Sequence, residues 1–140
     1  MRLDGLPFPV FGDQEFRGTC VLEHVDQASV INRIRREHPE TWGRLVLHPR
    51  NEGLKEKGQF SSVLKHKAEG MAPGASDLVI PAAKAFVCEI KRRDHRKSSW
   101  QPEQIAYLTA AHNAGAFACV ALGAEGAWSA FEVWKGLQHG

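Results

Sequence analysis

From Phe86 to Lys91 the chain reads Phe-Val-Cys-Glu-Ile-Lys, a strand-forming apolar run carrying two opposite charges two positions apart. Successive side chains of a strand point to opposite faces. Glu89 and Lys91 therefore share one face, and Cys88 and Ile90 take the other. Asp77-Leu78-Val79-Ile80 reads as the preceding strand, joined to this one by a short loop containing Pro81 and Lys84. Antiparallel pairing through that loop could bring Asp77 close to Glu89. Two carboxylates held together oppose each other's ionisation unless a cation sits between them. Mg²⁺ takes oxygen ligands and keeps some of its waters, which suits phosphate chemistry. A lysine beside such an ion can orient or deprotonate a water, or stabilise charge developing on phosphorus. Taken singly, Asp77 reads as a turn residue and the Glu89/Lys91 pair as a surface ion pair.

The rest of the chain supplies elements to flank such strands. Residues 1–18, rich in Gly, Pro and Phe and without a period, read as an irregular arm, and 19–140 as one domain. Residues 23–38 have helical spacing, with Val30, Ile31 and Ile34 as the apolar stripe and Asp26, Arg33 and Arg36 opposite. At about 100° per residue, Glu23 and Gln27 fall on the side of Val30 and Ile34, and an inward carboxylate needs a partner. Pro39 ends this helix. Residues 45–48 read as a short strand stopped by Pro49 and the turn Asn51-Glu52-Gly53, and residues 57–69 as a helix. Residues 70–75 form a tight connection. A further helix starts near Pro102, a residue suited to the first helical position, and ends at Gly115. Residues 116–121 make a buried-type strand before a last helix with Trp128, Phe131 and Trp134. The expected order is α-β-α-β-β-α-β-α, a mixed sheet with helices packed on it.

The net charge of +2 says little about partners, but its distribution says more. Basic residues gather at 33–36, at 65–67 and most densely at 91–97, and local basic patches attract phosphate backbones. Three cysteines, an odd number without paired spacing, argue for a reducing compartment. With no signal-peptide pattern at the start, the expectation is a soluble, cytoplasmic protein. Cys20 and His24 share a helix-compatible spacing, but structural zinc needs four ligands and no second pair is present.

The ordered blocks Glu23-His24 with Gln27, Pro49-Arg50-Asn51-Glu52-Gly53, Gly74-Ala75-Ser76-Asp77, Glu89-Ile90-Lys91 and Pro102-Glu103-Gln104 resemble the VRR-Nuc family, the virus-type replication-repair nucleases of the PD-(D/E)XK superfamily. The resemblance runs from Glu23 to about Trp128 and is nearest to the small stand-alone phage and bacterial type. Glu-x-Lys alone is a weak signal; the ordered set is a strong one. Ser76 stands where relatives usually have Pro, and Arg50 is an extra residue within the turn. The resemblance implies a restriction-endonuclease-like α/β fold, a mixed β-sheet flanked by helices. It also implies that Asp77, Glu89, the carbonyl of Ile90 and Glu23 hold Mg²⁺ or Mn²⁺, and that Lys91 is the catalytic lysine. Gln104 then orients Lys91 or a phosphate, while Asn51, Arg92, Arg93, Arg96 and Lys97 contact DNA.

The implied activity is a structure-selective DNA endonuclease acting on branched or junction DNA, with a flap-type nuclease or a non-catalytic DNA-binding protein as alternatives. Paired incision at a junction calls for two copies of a one-site domain, so a homodimer is expected. Phe8, Phe11 and Phe16 of the arm and Trp128, Phe131 and Trp134 of the last helix are its candidate interface residues, although core packing accounts for the last helix equally well.

Overall fold

Alternation along the strand Phe86–Lys91 decides the layering. In the computed structural model, which describes residues 1–49 and 72–138, this strand is the third of four. In chain order the elements are β1 (Val10–Phe11), α1 (Glu23–Glu37), α2 (Trp42–Leu45), β2 (Leu78–Ile80), β3 (Phe86–Lys91), a 3-10 turn (His95–Lys97), α3 (Gln104–Asn113), β4 (Phe117–Leu122) and α4 (Gly123–Leu137). The sheet order is β1-β4-β3-β2. β2 runs antiparallel to β3 with Leu78 opposite Cys88, while β4 runs parallel to both β3 and β1. This is a mixed sheet flanked by helices, as expected.

Phe86, Cys88 and Ile90 point into a core shared with Val30, Ile31 and Ile34 of α1 and with Phe131 and Trp134 of α4. Val87 points into a second core with Leu108 of α3, Ala118, Val120 and Phe8. Glu89 and Lys91 share the face of Val87, so the sheet aims both charges at α3. Burying an aromatic side chain of this size stabilises by about 2–3 kcal/mol. Phe131 and Trp134 are spent in that way, each fully buried, and so is Phe8. These three are core, not interface; Phe11, Phe16 and Trp128 are only partly buried.

Several local expectations need correction. The arm is not wholly irregular, because Val10 and Phe11 pair with Val120 and Ala121; a two-residue strand leaves no periodic trace. The segment expected as a strand at 45–48 starts as the end of α2, and only Leu47 bridges to Val79. The cause lies upstream: the amides of Gly43 and Arg44 turn back onto the carbonyls of His38 and Thr41. Gly43 permits this, since a Cβ there would stand 2.6 Å from the Cα of Arg35. Asp26, expected on the outer face of α1, is buried, and burial raises its carboxyl above the ordinary range. It shares a cleft with Gly123 and Ala124 at the start of α4, which has no side-chain cap. Pro102 lies in the turn before α3, whose first residue is Gln104. The expected helix at 57–69 and the Asn51 turn lie outside the described residues. Among the described residues, no helix is long and apolar enough to cross a membrane.

Candidate active site

Four side chains meet on the α3 side of β3. Lys91 Nζ donates to Gln104 Oε1 at 2.8 Å and to the carbonyl of Ser99 at 2.8 Å. Gln104 Nε2 donates to Glu89 Oε1 at 2.8 Å, and the amide of Gln101 donates to Gln104 Oε1. Gln104 thus clamps acid and base of the same strand, with the Lys91 ammonium 3.8 Å from Glu89. Glu89 and Lys91 are both about 1% exposed.

Asp77 reaches this group from the start of β2. Its Oδ2 accepts the amide hydrogen of Ile90 at 2.8 Å, and its charge opposes ionisation of Glu89. Ile90 therefore enters through its backbone, its side chain being buried in the first core. Burial, then the charge of Asp77, holds the Glu89 carboxyl well above the usual range, and burial also raises that of Asp77. Glu89 Oε2 is buried with no donor facing it.

Asp77 is fixed from behind as well. His48 Nδ1 donates to the Asp77 carbonyl at 2.7 Å, beside the Leu47–Val79 bridge. Glu23 stands at the first turn of α1, where its Oε2 accepts from Ser98 Oγ at 2.7 Å; that hydroxyl in turn accepts the amide hydrogen of Arg92. Glu23, Asp77, His48 and Ser98 open onto one cleft of about 660 Å³. Sequence reading did not single out His48, Ser98 or Ser99. They act through a ring nitrogen, a hydroxyl and a carbonyl delivered by turns, and nothing in their residue types marks them.

The start of α3 is held by a close approach. Glu103 takes φ +74°, a left-handed conformation unusual for a residue with a side chain, and so turns Gln104 inward. Gly74, at φ +71°, packs against it: a Cβ there would lie 2.4 Å from Glu103 C and O and 2.8 Å from Gln104 N. Gly74→Ala is expected to lower stability by more than about 1 kcal/mol through backbone strain and overlap, and to loosen Gln104. Thermal unfolding of the variant is the measurement, and an unchanged midpoint would count against this role.

The basic residues after β3 are more occupied than their sequence suggests. Arg92 donates to the carbonyls of Cys20 and Val21, and Arg93 stacks 3.9 Å over the Phe16 ring. Arg96 pairs with the buried Asp94, which also accepts from the amide of Gly18 and is held well below the usual carboxylate range. These contacts fasten the arm to the end of β3. Of the four basic side chains proposed for DNA, Arg92 and Lys97 line the cleft.

No family model matches the chain, and neither does any curated protein. A solved structure described as a VRR_NUC domain protein superposes with a TM-score of 0.64 at 22% identity, covering 81% of this chain and 88% of that one. The chain has the VRR_NUC fold. Within that fold, the candidate metal ligands can be weighed on their own geometry. Among the described residues, no three His, Cys, Asp or Glu side chains converge tightly enough to hold a metal ion by themselves. Asp77 and Glu89 nevertheless offer adjoining, charge-frustrated carboxylates with one oxygen lacking a donor. Such an all-oxygen pair fits a hard divalent ion that completes its shell with backbone oxygen and water. Glu23, bound to Ser98, stands apart and would reach such an ion through water.

Proposed function

We propose that this chain is a metal-dependent nuclease that hydrolyses DNA phosphodiester bonds, with branched or junction DNA as its substrate. The observation carrying the nuclease reading is the hydrogen-bonded line Lys91–Gln104–Glu89 beside Asp77 on a VRR_NUC fold. Asp77, Glu89 and the Ile90 carbonyl would hold Mg²⁺ or Mn²⁺, with Glu23 on a bound water. Such an ion would supply a polarised water and compensate charge on the phosphoryl oxygens. An ammonium has three N–H donors. Ser99 and Gln104 take two from Lys91, leaving the third for the attacking water or a phosphoryl oxygen. Water attacks phosphorus in line, the bond to the 3′ oxygen breaks, and the products are a 5′-phosphate and a 3′-hydroxyl.

The preference for branched DNA rests on the sequence resemblance, as does the homodimer that paired incision requires. Three free cysteines agree with action in the reducing cytoplasm. A flap-type nuclease is the nearest alternative, and a DNA-binding protein without catalysis the more distant one. The test offers purified protein a single strand, duplex, flap, fork and four-way junction with Mg²⁺, Mn²⁺ or chelator. Metal-dependent cutting, fastest at the junction and made as paired nicks by a protein of dimeric mass, is the expected result. Preferred cutting of the flap would move the substrate assignment. Binding without cutting under either metal would overturn the enzyme.

A further inference from the structure

We infer that α1 forms a track for a nucleic-acid strand, along which Arg35 holds a backbone phosphate several nucleotides from the bond being cut. The inference rests on the nuclease reading above and adds a subsite to it. Glu23, Gln27, Ile31 and Arg35 stand at successive four-residue steps, and all four line the cleft that contains Asp77. The row begins at the carboxylates and ends, twelve residues on, at a guanidinium. At 1.5 Å of rise per residue that separation is about 18 Å. Successive phosphates of one duplex strand advance about 3.4 Å along the axis, so a cation at that distance meets a phosphate well removed from the reaction.

The charges around Arg35 favour this reading. Arg33 is engaged by Glu37 at 2.7 Å and by the Trp128 ring, Arg96 by Asp94, and Arg92 by two carbonyls. Arg35 has no ion pair or hydrogen bond to its side chain among the described residues. The α1 dipole favours a cation in the last turn on any face, and Arg36 meets that need equally. It does not account for the cation aligned with Glu23 along the cleft. The backbone of Arg35 is also fixed, because α2 docks onto it through Gly43. A guanidinium on a fixed backbone, open on a cleft and without an anion among the described residues, is built for a phosphate.

Binding measured in chelator, where no cutting occurs, separates this inference from the nuclease reading. For Arg35→Gln the slope of log affinity against log salt should become shallower by about 0.9, one phosphate contact. Arg35→Lys should keep the slope, and Arg33→Gln, whose partner lies off the cleft, should not change it. Neutralising single phosphates as methylphosphonates should abolish the Arg35→Gln effect at one position several nucleotides from the mapped cut. Wild-type binding and cutting with a slope unmoved by Arg35→Gln would overturn the track and leave the nuclease standing. Failure of the wild-type protein to bind or cut would overturn both.

Discussion

Lys91→Met is expected to slow cleavage by at least about two orders of magnitude while leaving divalent-ion binding in place, as when a contact made in the transition state is lost. Methionine matches the apolar stem and removes only the ammonium. The structure adds a second consequence. Lys91 supplies hydrogens to the Ser99 carbonyl and to Gln104 Oε1; in the variant the first loses this donor and the second keeps only the amide of Gln101. A hydrogen bond to a charged group contributes about 1.5–3 kcal/mol, so the variant should also be less stable. The rate effect has to be read at a temperature where the variant is fully folded, from single-turnover cleavage beside metal titration by calorimetry. A change confined to substrate affinity would make Lys91 an ordinary phosphate contact.

Glu89→Gln should behave in the opposite way toward stability: cleavage is abolished, and the metal-free protein becomes more stable. The wild-type carboxylates crowd each other in a buried place where Lys91 offsets only one of the two charges. Glutamine keeps the oxygen that accepts from Gln104 and turns an amide toward Asp77, where Oε2 had no donor. Each kcal/mol gained should raise the midpoint of unfolding by roughly 3–5 °C in a chain of this size. The pH dependence follows from the direction of the shift. The folded state binds the Glu89 proton more tightly than the unfolded state does, because burial and Asp77 raise its pKa. Metal-free stability therefore falls as pH rises from the ordinary carboxylate range through that raised value. The fall should flatten in Glu89→Gln and be opposed by added Mg²⁺ or Mn²⁺ in the wild type. Asp94 carries the reverse sign: its lowered pKa contributes stability above the ordinary range, lost only in strong acid. Full activity of Glu89→Gln would remove the metal assignment.

How much of this could be read beforehand depended on how each residue acts. Asp77, Glu89 and Lys91 were legible because strand alternation and hairpin pairing fix which side chains converge, and Gln104 through the family resemblance; all four act through their own charged or amide tips. Glu23 was legible as an inward carboxylate needing a partner, but the partner, Ser98, was not. Ser99 acts through its carbonyl, and a carbonyl has no residue-type signature. Asp26 shows the limit of a helical wheel. The wheel places it outward, yet α4 packs against α1 and buries it beside the uncapped start of α4. The Leu-Val-Leu run at 45–47 has strand composition, but a close approach at Gly43 spends its first residue on a helix.

The sheet order has a consequence during synthesis. β4, the last of the four described strands in chain order, lies between β1 and β3. A nascent chain that has emerged as far as Gln104 already carries Glu23, Asp77, Glu89 and Lys91, but β1 and β3 have no common neighbour to join them. The arm cannot close on its side of the sheet, and β3 lacks the parallel partner that sets its line, until residues 117–122 arrive. Such long-range pairings form late, since loop closure must precede the contacts that reward it. The nuclease site proposed above would therefore be completed only once residues 117–122 are in place.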